Sequence, residues 1–347
     1  MKKQKQERGL FDDEMRLRKI SKQGDPLERL NRLIDFEIFR PILEKIPTKV
    51  PKGPGGRPAY DVMLKFKMVI LQRLYNISDE QLEYQVIDRL SFMRFLGLTL
   101  ADDVPDCTTI WLFREQLKVC GLVQVLFNRF QQELERHGLI AHEGSIIDAS
   151  FVEVPKQRNR RDDNEQIKKG EIPEAWQAED TQAFRSQKDV DARWTKKNQQ
   201  NYYGYKNHVK VDSKSKVITN YLVTDAAVHD SQVLKDLLEE DNRNKPLYAD
   251  SAYTGQRETL AEWEIEDQIN EKGYRNSPLT EEQKENNRVK SKIRARVEHV
   301  FGFIHTSMKG PFIRTIGKDR ATVMVGLMNL TYNLCLFIQL QGAYAAP

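Results

Sequence analysis

Apolar residues recur along the chain in two different patterns, and the pattern changes near Gly138. Before that glycine they recur every three or four positions, the spacing of helices that bury one side. After it they recur mostly at every second position, the spacing of strands. Short helices separated by caps and glycines form small all-α domains, which are used for helix-turn-helix DNA binding and for dimerisation. The patterns therefore predict a helical domain at residues 26–138 and a domain containing a sheet at residues 139–347.

The second domain is predicted to contain five strands and several helices. The strands are expected at residues 144–154, 202–212, 216–224, 246–250 and 266–270, and the helices at 231–238, 257–263, 281–305 and 320–341. Only three residues separate the second strand from the third, which predicts an antiparallel hairpin. The resulting order, β-β-β-α-β-α-β-α, is that of an RNase H-like domain. The predicted fold class is therefore α/β, a mixed sheet flanked by helices, preceded by an all-α domain.

Two polar segments interrupt these patterns. Residues 1–25 are charged and have little to bury, which predicts a flexible or docking arm. Residues 156–200 are mostly polar, and a loop of that length inside a compact domain is usually either functional or disordered. We interpret residues 156–200 as an insertion in the second domain.

Overall charge and composition exclude few classes of function, and they indicate a cytoplasmic protein. The formal net charge is only +4, so any preference for nucleic acid must come from local clusters of charge. The three cysteines lie far apart without metal-ligand spacing, which is typical of reduced thiols. The N-terminus lacks the apolar segment of a signal peptide, and no apolar run reaches the roughly 18 residues of a membrane span. We therefore expect no membrane partner.

Asp148 lies in the middle of a predicted strand that is apolar on both faces. Such a strand is usually central in a sheet that is covered on both sides. A buried carboxylate there is costly unless an Arg or Lys, several hydrogen-bond donors or a metal ion compensates its charge. A salt-bridged core aspartate and a metal ligand are therefore both open interpretations of Asp148.

Two further carboxylates occupy comparable positions. Asp250 comes at the carboxyl end of its strand, where open α/β sheets bind ligands, although a turn aspartate is the alternative. Glu298 flanks the apolar stripe of the 281–305 helix, and a helical pair with Arg294 is the alternative. Three converging carboxylates suit Mg²⁺, with Mn²⁺ as a substitute, and two such ions can catalyse phosphoryl transfer. No cluster of His or Cys competes for this role.

Cations concentrate around Glu298, which suits a polyanionic substrate such as DNA. Part of this cluster has the ordinary alternative of a solvated helix face. The hairpin strand at residues 202–212 and the loop before residue 58 add aromatic and basic candidates, although one face of a hairpin normally packs on the core. The candidate DNA contacts are Arg288, Lys290, Lys292, Arg294, Arg296, Lys309, Lys206, Tyr205 and Arg57.

Several short motifs in this order resemble one family. They are DAS at 148–150, GYKNHVKVD at 204–212, TDAAVHD at 224–230, YADSAYTG at 248–255 and RARVEHVFG at 294–302, with a helical stretch from Gly56 to Leu117. Together they resemble a bacterial insertion-sequence transposase of the DDE type, of the insertion-sequence five family, which is related to the insertion-sequence four group.

The resemblance implies a site and a reaction. The catalytic, metal-binding triad would be Asp148, Asp250 and Glu298. In the signature Tyr-x2-Arg-x3-Glu-x6-Lys of related transposases, Arg294 matches, whereas Ser291 and His305 replace the tyrosine and the lysine. His305 can still donate a hydrogen bond to a phosphate.

The family's reaction has several steps. Such a transposase binds the terminal inverted repeats of its element in double-stranded DNA, pairs two ends in a synaptic homodimer, cuts with a metal-activated water and joins the 3′-hydroxyls to target DNA. Two alternatives are a nuclease of the same fold that does not join strands and a domesticated DNA-binding protein. The presence of all three acids argues against the second alternative.

Overall fold

The computed structural model describes residues 9, 11–47, 58–178, 181–197 and 199–344, and these residues divide between two compact units. The first unit comprises Met1–Gln72, Ile77–Cys120 and Ile338–Pro347, and the second comprises Arg73–Asn76 and Gly121–Phe337. Arg57, a predicted DNA contact, lies outside the described residues, so its role stays a prediction.

The first unit is helical, as the spacing predicts. Its helices are α1 (Asp12–Lys22), α2 (Pro26–Leu33), α3 (Arg40–Leu43), α4 (Val62–Tyr75), α5 (Asp79–Asp88), α6 (Leu90–Leu96) and α7 (Cys107–Val119), with a 3₁₀ turn at Phe36–Phe39. Ser78 and Asp106 accept hydrogen bonds from the backbone N–H groups of Gln81 and Thr109. These side chains satisfy donors that the first turn of a helix leaves unpaired, and they define where α5 and α7 begin.

Of the two predicted forms of the arm at residues 1–25, the docking form fits residues 12–22, which form α1 and are held by α6. Arg94 of α6 holds the end of this helix, because its guanidinium donates to Ser21 Oγ at 2.8 Å and to Asp25 Oδ2 at 2.5 Å. The polar sequence conceals the helix because α1 buries no residue and is held by polar contacts.

The second unit contains one mixed six-stranded sheet. Its strands are β1 (Ser145–Glu153), β2 (Arg193–Lys197), β3 (Gln200–Asp212), β4 (Ile218–Asp225), β5 (Pro246–Ala249) and β6 (Glu266–Ile269). The strand order is β2-β3-β1-β5-β6, and β4 also pairs with β3. The β1–β3, β2–β3 and β3–β4 pairs are antiparallel, whereas β1–β5 and β5–β6 are parallel. Strand β1 is therefore central, as predicted for the strand that carries Asp148.

Helices surround this sheet. They are α8 (Leu122–Arg136), α9 (Arg161–Lys168), α10 (Gln182–Arg185), α11 (Leu234–Leu237), α12 (Arg257–Glu262), α13 (Glu281–Arg294), α14 (Arg296–Thr306) and α15 (Lys318–Tyr344). Helix α15 is long and apolar enough to span a membrane, but 94% of its most apolar window is buried inside the protein. A core helix has the same length and composition, and the burial identifies α15 as one.

Helix α8 belongs to the second unit, although its helical spacing led us to place it in the first domain. Phe127 packs edge-on against Tyr221 of β4 with ring centroids 4.9 Å apart, and Phe130 packs against Phe337 of α15 at 5.9 Å. A helix that covers a sheet has the same periodicity as one in a helical bundle, so spacing alone does not reveal which partner it packs on.

The polar segment 156–200 contains α9, α10 and the edge strand β2. The carboxylate of Asp189, which is buried, accepts a 2.8 Å hydrogen bond from the Tyr205 hydroxyl. Trp176 is also buried, and it packs edge-on against Phe184. The insertion is thus partly structured on the sheet. Strand β2 has the sequence RWTKK, too polar to be recognised from hydrophobic alternation.

The helix predicted at residues 281–305 is two helices. Helix α13 ends and α14 begins at Ala295, whose backbone N–H donates to Ser291 O at 2.8 Å. Thr280 opens α13 with a reciprocal cap in which its side chain and that of Gln283 each bond the other's backbone N–H. The break places Arg294 at the last turn of α13 and Glu298 in the first turn of α14.

Candidate active site

The sheet places Asp148 and Asp250 side by side. In the parallel pairing of β1 with β5, Ser145 lies opposite Leu247 and Ile146 opposite Tyr248. The same register, continued by two residues, sets Asp148 level with Asp250, just past the end of β5. Neighbouring strands lie about 4.8 Å apart, and residues in register point to the same face. The two carboxylates therefore share one face of the sheet.

The opposite face of these strands forms part of the core. Ile147 packs there in a buried cluster with Leu234, Leu247 and Tyr253. Because side chains alternate along a strand, the burial of Ile147 directs Asp148 to the other face, where α14 contacts β1. Asp250 Oδ1 also accepts the Ala252 N–H at 2.9 Å, which begins the 3₁₀ turn Ser251–Gln256.

Asp148 is largely buried and has two hydrogen-bond donors. Its Oδ1 accepts the Ala149 N–H at 2.8 Å, and its Oδ2 accepts a hydrogen bond from Arg294 Nη1 at 3.1 Å. Burial raises the pKa of Asp148 to about 6, because desolvation outweighs the Ala149 bond and the Arg294 charge, and the negative charges of Asp250 and Glu298 add to the increase. Burial therefore favours the neutral form of Asp148 in spite of its two donors.

Arg294 connects Asp148 with Glu298, since its Nη1 also lies 3.7 Å from Glu298 Oε1. Both ordinary interpretations of these acids are thus present: Asp148 has a salt bridge, and Glu298 has a helical arginine partner. Glu298 is 61% exposed and can turn, whereas the buried Arg294 Nε has no hydrogen-bond partner within the described part of the chain. The guanidinium is the cation that two of the three carboxylates share in this structure.

The three acids provide oxygen ligands, the kind that Mg²⁺ and Mn²⁺ prefer. In the arrangement described, no three acidic, His or Cys side chains within residues 9, 11–47, 58–178, 181–197 and 199–344 are close enough to hold one ion. The donor chemistry fits a divalent ion, whose positive charge would stabilise the ionised form of the buried Asp148. Movement of Arg294 and rotation of Glu298 would complete the set.

Tyr253 and the Lys206–Asp230 ion pair were missed by sequence reasoning. The Tyr253 hydroxyl is buried without a partner in the described chain, and burial, with the charges of Asp230, Asp148 and Asp250, raises its pKa well above the ordinary value. Lys206 Nζ pairs with Asp230 at 2.8 Å. The sequence feature that could have identified Tyr253 is its position three residues after Asp250, about one helical turn away.

Two predicted DNA contacts on β3 are wrong. Tyr205 is fully buried, with its hydroxyl on the Asp189 carboxylate. Lys206 is 8% exposed and is held by Asp230 and by the Val228 carbonyl. Tyr205 and Lys206 are adjacent and therefore point to opposite faces of β3, and both faces are buried from Tyr203 onward.

The basic residues near Glu298 differ in availability. Lys290 Nζ donates to Ile269 O at 3.0 Å, and Arg296 Nη1 donates to Ser213 O at 2.6 Å, so both contribute to packing. Arg288, which lies 3.5 Å from Glu285, is exposed. The other exposed candidates are Lys292, His305 and Lys309. Their contact with DNA stays a prediction.

The strand order, with Asp148 in the middle of β1 level with Asp250 just after β5, defines an RNase H-like domain with an acidic site, which confirms the predicted fold. The model of the transposase DDE domain matches residues 140–334, more than half of the chain. The chain belongs to this family. A second model, described as a transposase domain (DUF772), matches residues 15–116 in the helical part.

One solved structure, a piggyBac transposase synaptic complex with hairpin DNA, aligns over 92% of this chain and 76% of that chain. The identity is 12% and the TM-score 0.46, and a likeness this weak does not bear on the site. The family match confirms the resemblance to a DDE transposase: the protein is a DNA transposase from a family whose chemistry uses divalent metal ions.

Proposed function

We propose that this transposase belongs to the insertion-sequence five family and acts in the cytoplasm on the ends of its own element. It would bind the terminal inverted repeats in double-stranded DNA, pair two ends as a homodimer, cut the strands and join the freed 3′-hydroxyls to target DNA. The observation that carries the proposal is the register that sets Asp148 beside Asp250, with Glu298 joined to Asp148 through Arg294.

Asp148, Asp250 and Glu298 are the residues that would hold Mg²⁺, or Mn²⁺ in its place, as two ions in one site. When bound, the ions would activate a water or a 3′-hydroxyl and stabilise the leaving oxygen. Asp148 would bind as the carboxylate and therefore lose the proton that its raised pKa lets it keep below about pH 6.

Arg294 would orient the substrate. In the structure its Nη1 contacts the carboxylates of both Asp148 and Glu298, and its buried Nε has no hydrogen-bond partner in the described chain. Guanidinium groups match phosphate geometry with two parallel donors. Released from Asp148, Arg294 would donate to the phosphate that is cut, and the exposed Lys292 on the same helix end would hold a neighbouring phosphate.

The test is cleavage of a labelled duplex that carries the element's own end, read from the DNA that flanks its gene. Wild-type protein should cut with Mg²⁺ or Mn²⁺ and not with a chelator, and Asp148→Ala or Asp250→Ala should bind the end without cutting it. Glu298→Gln should also stop cutting, whereas Glu266→Gln removes a carboxylate from an exposed position on β6 and should leave cutting intact.

Two results would contradict the proposal. Binding of the end without cutting under any metal would favour the domesticated DNA-binding protein. Cutting without joining to a target duplex, when a 3′-hydroxyl end is supplied, would favour a nuclease of the same fold. A crosslinking measurement of two differently labelled ends in one complex tests the proposed homodimer separately.

A further inference from the structure

A buried ion pair joins β3 to the anchored turn, the 3₁₀ segment Asp230–Val233 of the second unit. Lys206 Nζ, from β3, donates to Asp230 Oδ1 at 2.8 Å and to the Val228 carbonyl at 2.7 Å. Only 10% of the Lys206 side chain and 16% of the Asp230 side chain are exposed. Removing one partner of such a pair leaves the other charge buried without compensation, which is costly. The pair therefore fixes where the anchored turn lies on the sheet.

The anchored turn packs against the Asp250 turn, the 3₁₀ segment Ser251–Gln256. Val233 of the first turn and Tyr253 of the second belong to one buried cluster, in which Val233 is 4% and Tyr253 1% exposed. Protein interiors are close-packed, so a shift of one buried group is felt by the groups that it contacts. A displacement of the anchored turn would therefore displace the Asp250 turn as well.

Asp250 is bonded to the turn that follows it. Its Oδ1 accepts the Ala252 N–H at 2.9 Å, and its carbonyl accepts the Tyr253 N–H at 3.2 Å. Asp148 lies inside β1, whereas Asp250 comes just past the end of β5. The position of Asp250 therefore depends more on its turn than the position of Asp148 depends on any segment outside the sheet.

The charge of Asp230 also acts on this part of the site. Burial raises the pKa of Tyr253 well above its ordinary value, and the negative charges of Asp230, Asp148 and Asp250 add to the increase. Asp230 therefore lies near the same hydroxyl group as the two acids. Without Lys206 as its counter-ion, Asp230 would add to the repulsion among these carboxylates.

We propose that Lys206 and Asp230 are positioning residues for metal binding, because their ion pair fixes the anchored turn and, through it, the place of Asp250. The inference rests on the proposed function, in which Asp148, Asp250 and Glu298 hold the ions. Groups that orient metal ligands without touching the ion change metal affinity by roughly 10–100-fold when they are removed. Lys206 and Asp230 would act in this way, without contact to the ion or to DNA.

Lys210 provides a matched control. It lies four residues after Lys206 on β3, so the two side chains share a face, and it is fully buried. Its Nζ is also paired with carboxylates, Glu239 and Asp241, and it donates to Asn242 Oδ1 at 3.1 Å. These partners precede β5, whereas the Asp250 turn follows it. Lys210→Met therefore removes the same kind of buried cation without removing a contact of either turn.

The first measurement is the affinity for Mn²⁺, by isothermal titration calorimetry at pH 7 on metal-free protein. Lys206→Met and Asp230→Asn should each bind Mn²⁺ at least about tenfold more weakly than wild type. The double variant should bind no more weakly than the weaker single variant, because both changes break one contact. Lys210→Met should bind Mn²⁺ as wild type does.

Two further readouts need no metal. In EDTA, hydrogen exchange at the amides of residues 251–256 should be faster in Lys206→Met and Asp230→Asn than in wild type or Lys210→Met, because the turn is less firmly held. The affinity for the element's end should be the same in all four proteins. Circular dichroism reports whether each variant is folded, and Asp230→Asn, which keeps the side-chain shape, provides the test if Lys206→Met does not fold.

Wild-type Mn²⁺ affinity in a folded Asp230→Asn protein would overturn the inference. An equal loss of affinity in Lys210→Met would also overturn it, because the effect would then follow from general destabilisation. Weaker DNA binding by Lys206→Met with unchanged Mn²⁺ affinity would make Lys206 a DNA contact instead. Failure of the proposed function is seen differently, as absence of metal-dependent cutting by wild-type protein.

Discussion

Metal binding at the site should depend on pH because Asp148 is buried. Its pKa is about 6, whereas the ordinary value is 3.8. The carboxylate must lose its proton to bind an ion, so below pH 6 the proton competes with the metal. The perturbation is a change of pH from 7 to 5, a range in which an ordinary aspartate stays ionised.

The size of the effect follows from this competition. With one competing proton, the apparent affinity falls by the factor one plus ten to the power of pKa minus pH. For a pKa of about 6, the affinity for Mn²⁺ should be about tenfold weaker at pH 5 than at pH 7, and for a pKa of 3.8 it should change by less than about 10%. At pH 6, binding should release about half a proton from Asp148.

Isothermal titration calorimetry with Mn²⁺ measures both quantities, if each titration is repeated in two buffers with different heats of ionisation. Glu266→Gln is the control and should keep the tenfold pH dependence. Asp148→Asn should bind Mn²⁺ weakly and lose that dependence. Equal wild-type affinities at pH 5 and pH 7, without proton release, would refute the argument that burial of Asp148 sets its pKa.

Three further outcomes follow. Because the pKa of Asp148 is raised, its ionisation costs stability fully above pH 6 and hardly at all at pH 3, so Asp148→Asn in EDTA should be more stable than wild type at pH 7, by at most about 3 kcal/mol, with almost no gain at pH 3; thermal unfolding at both pH values measures this, and an equal gain at both would contradict it. Tyr205→Phe loses the bond to Asp189 and should lower the unfolding free energy by about 1–3 kcal/mol in denaturant titrations, while DNA affinity stays unchanged. Lys292→Ala should reduce the slope of log affinity against log salt by about 0.9, whereas Lys206→Ala should leave it unchanged because Asp230 holds that lysine; equal slopes for wild type and Lys292→Ala would exclude a phosphate contact.

Much of the fold could be predicted because its signals are local. Ser78 and Asp106 cap helices through atoms three residues away, and the two apolar faces around Asp148 place β1 at the centre of the sheet. The parts that were missed depend on contacts distant in sequence. Strand β2 exists because β3 pairs with it, and Tyr205 is buried because Asp189 accepts its hydroxyl from the insertion. Neither partner can be identified from a pattern of spacing.

The candidate site, like the fold, could be predicted from the sequence only in part. The three acids could be found by residue type and position in their elements, together with the family resemblance. The break at Ala295 could not, since an unbroken helical pattern covers residues 281–305. The break separates Arg294, in the last turn of α13, from Glu298, in the first turn of α14, and Arg294 contacts both Asp148 and Glu298. The ion pair of Lys206 and Asp230 could not be predicted either, because its partners lie 24 residues apart in the sequence.

Because β1 pairs with β5, the distance between Asp148 and Asp250 does not depend on the length of the chain that connects the two strands. The spacing of Asp148 and Asp250 is set by two adjacent parallel strands, and the segment between them can lengthen or shorten without changing that register. Residues 156–200 are an insertion of this kind. A change in the length of this segment would therefore leave the spacing of the two acids unchanged, provided that β2 and the bond between Asp189 and Tyr205 are kept.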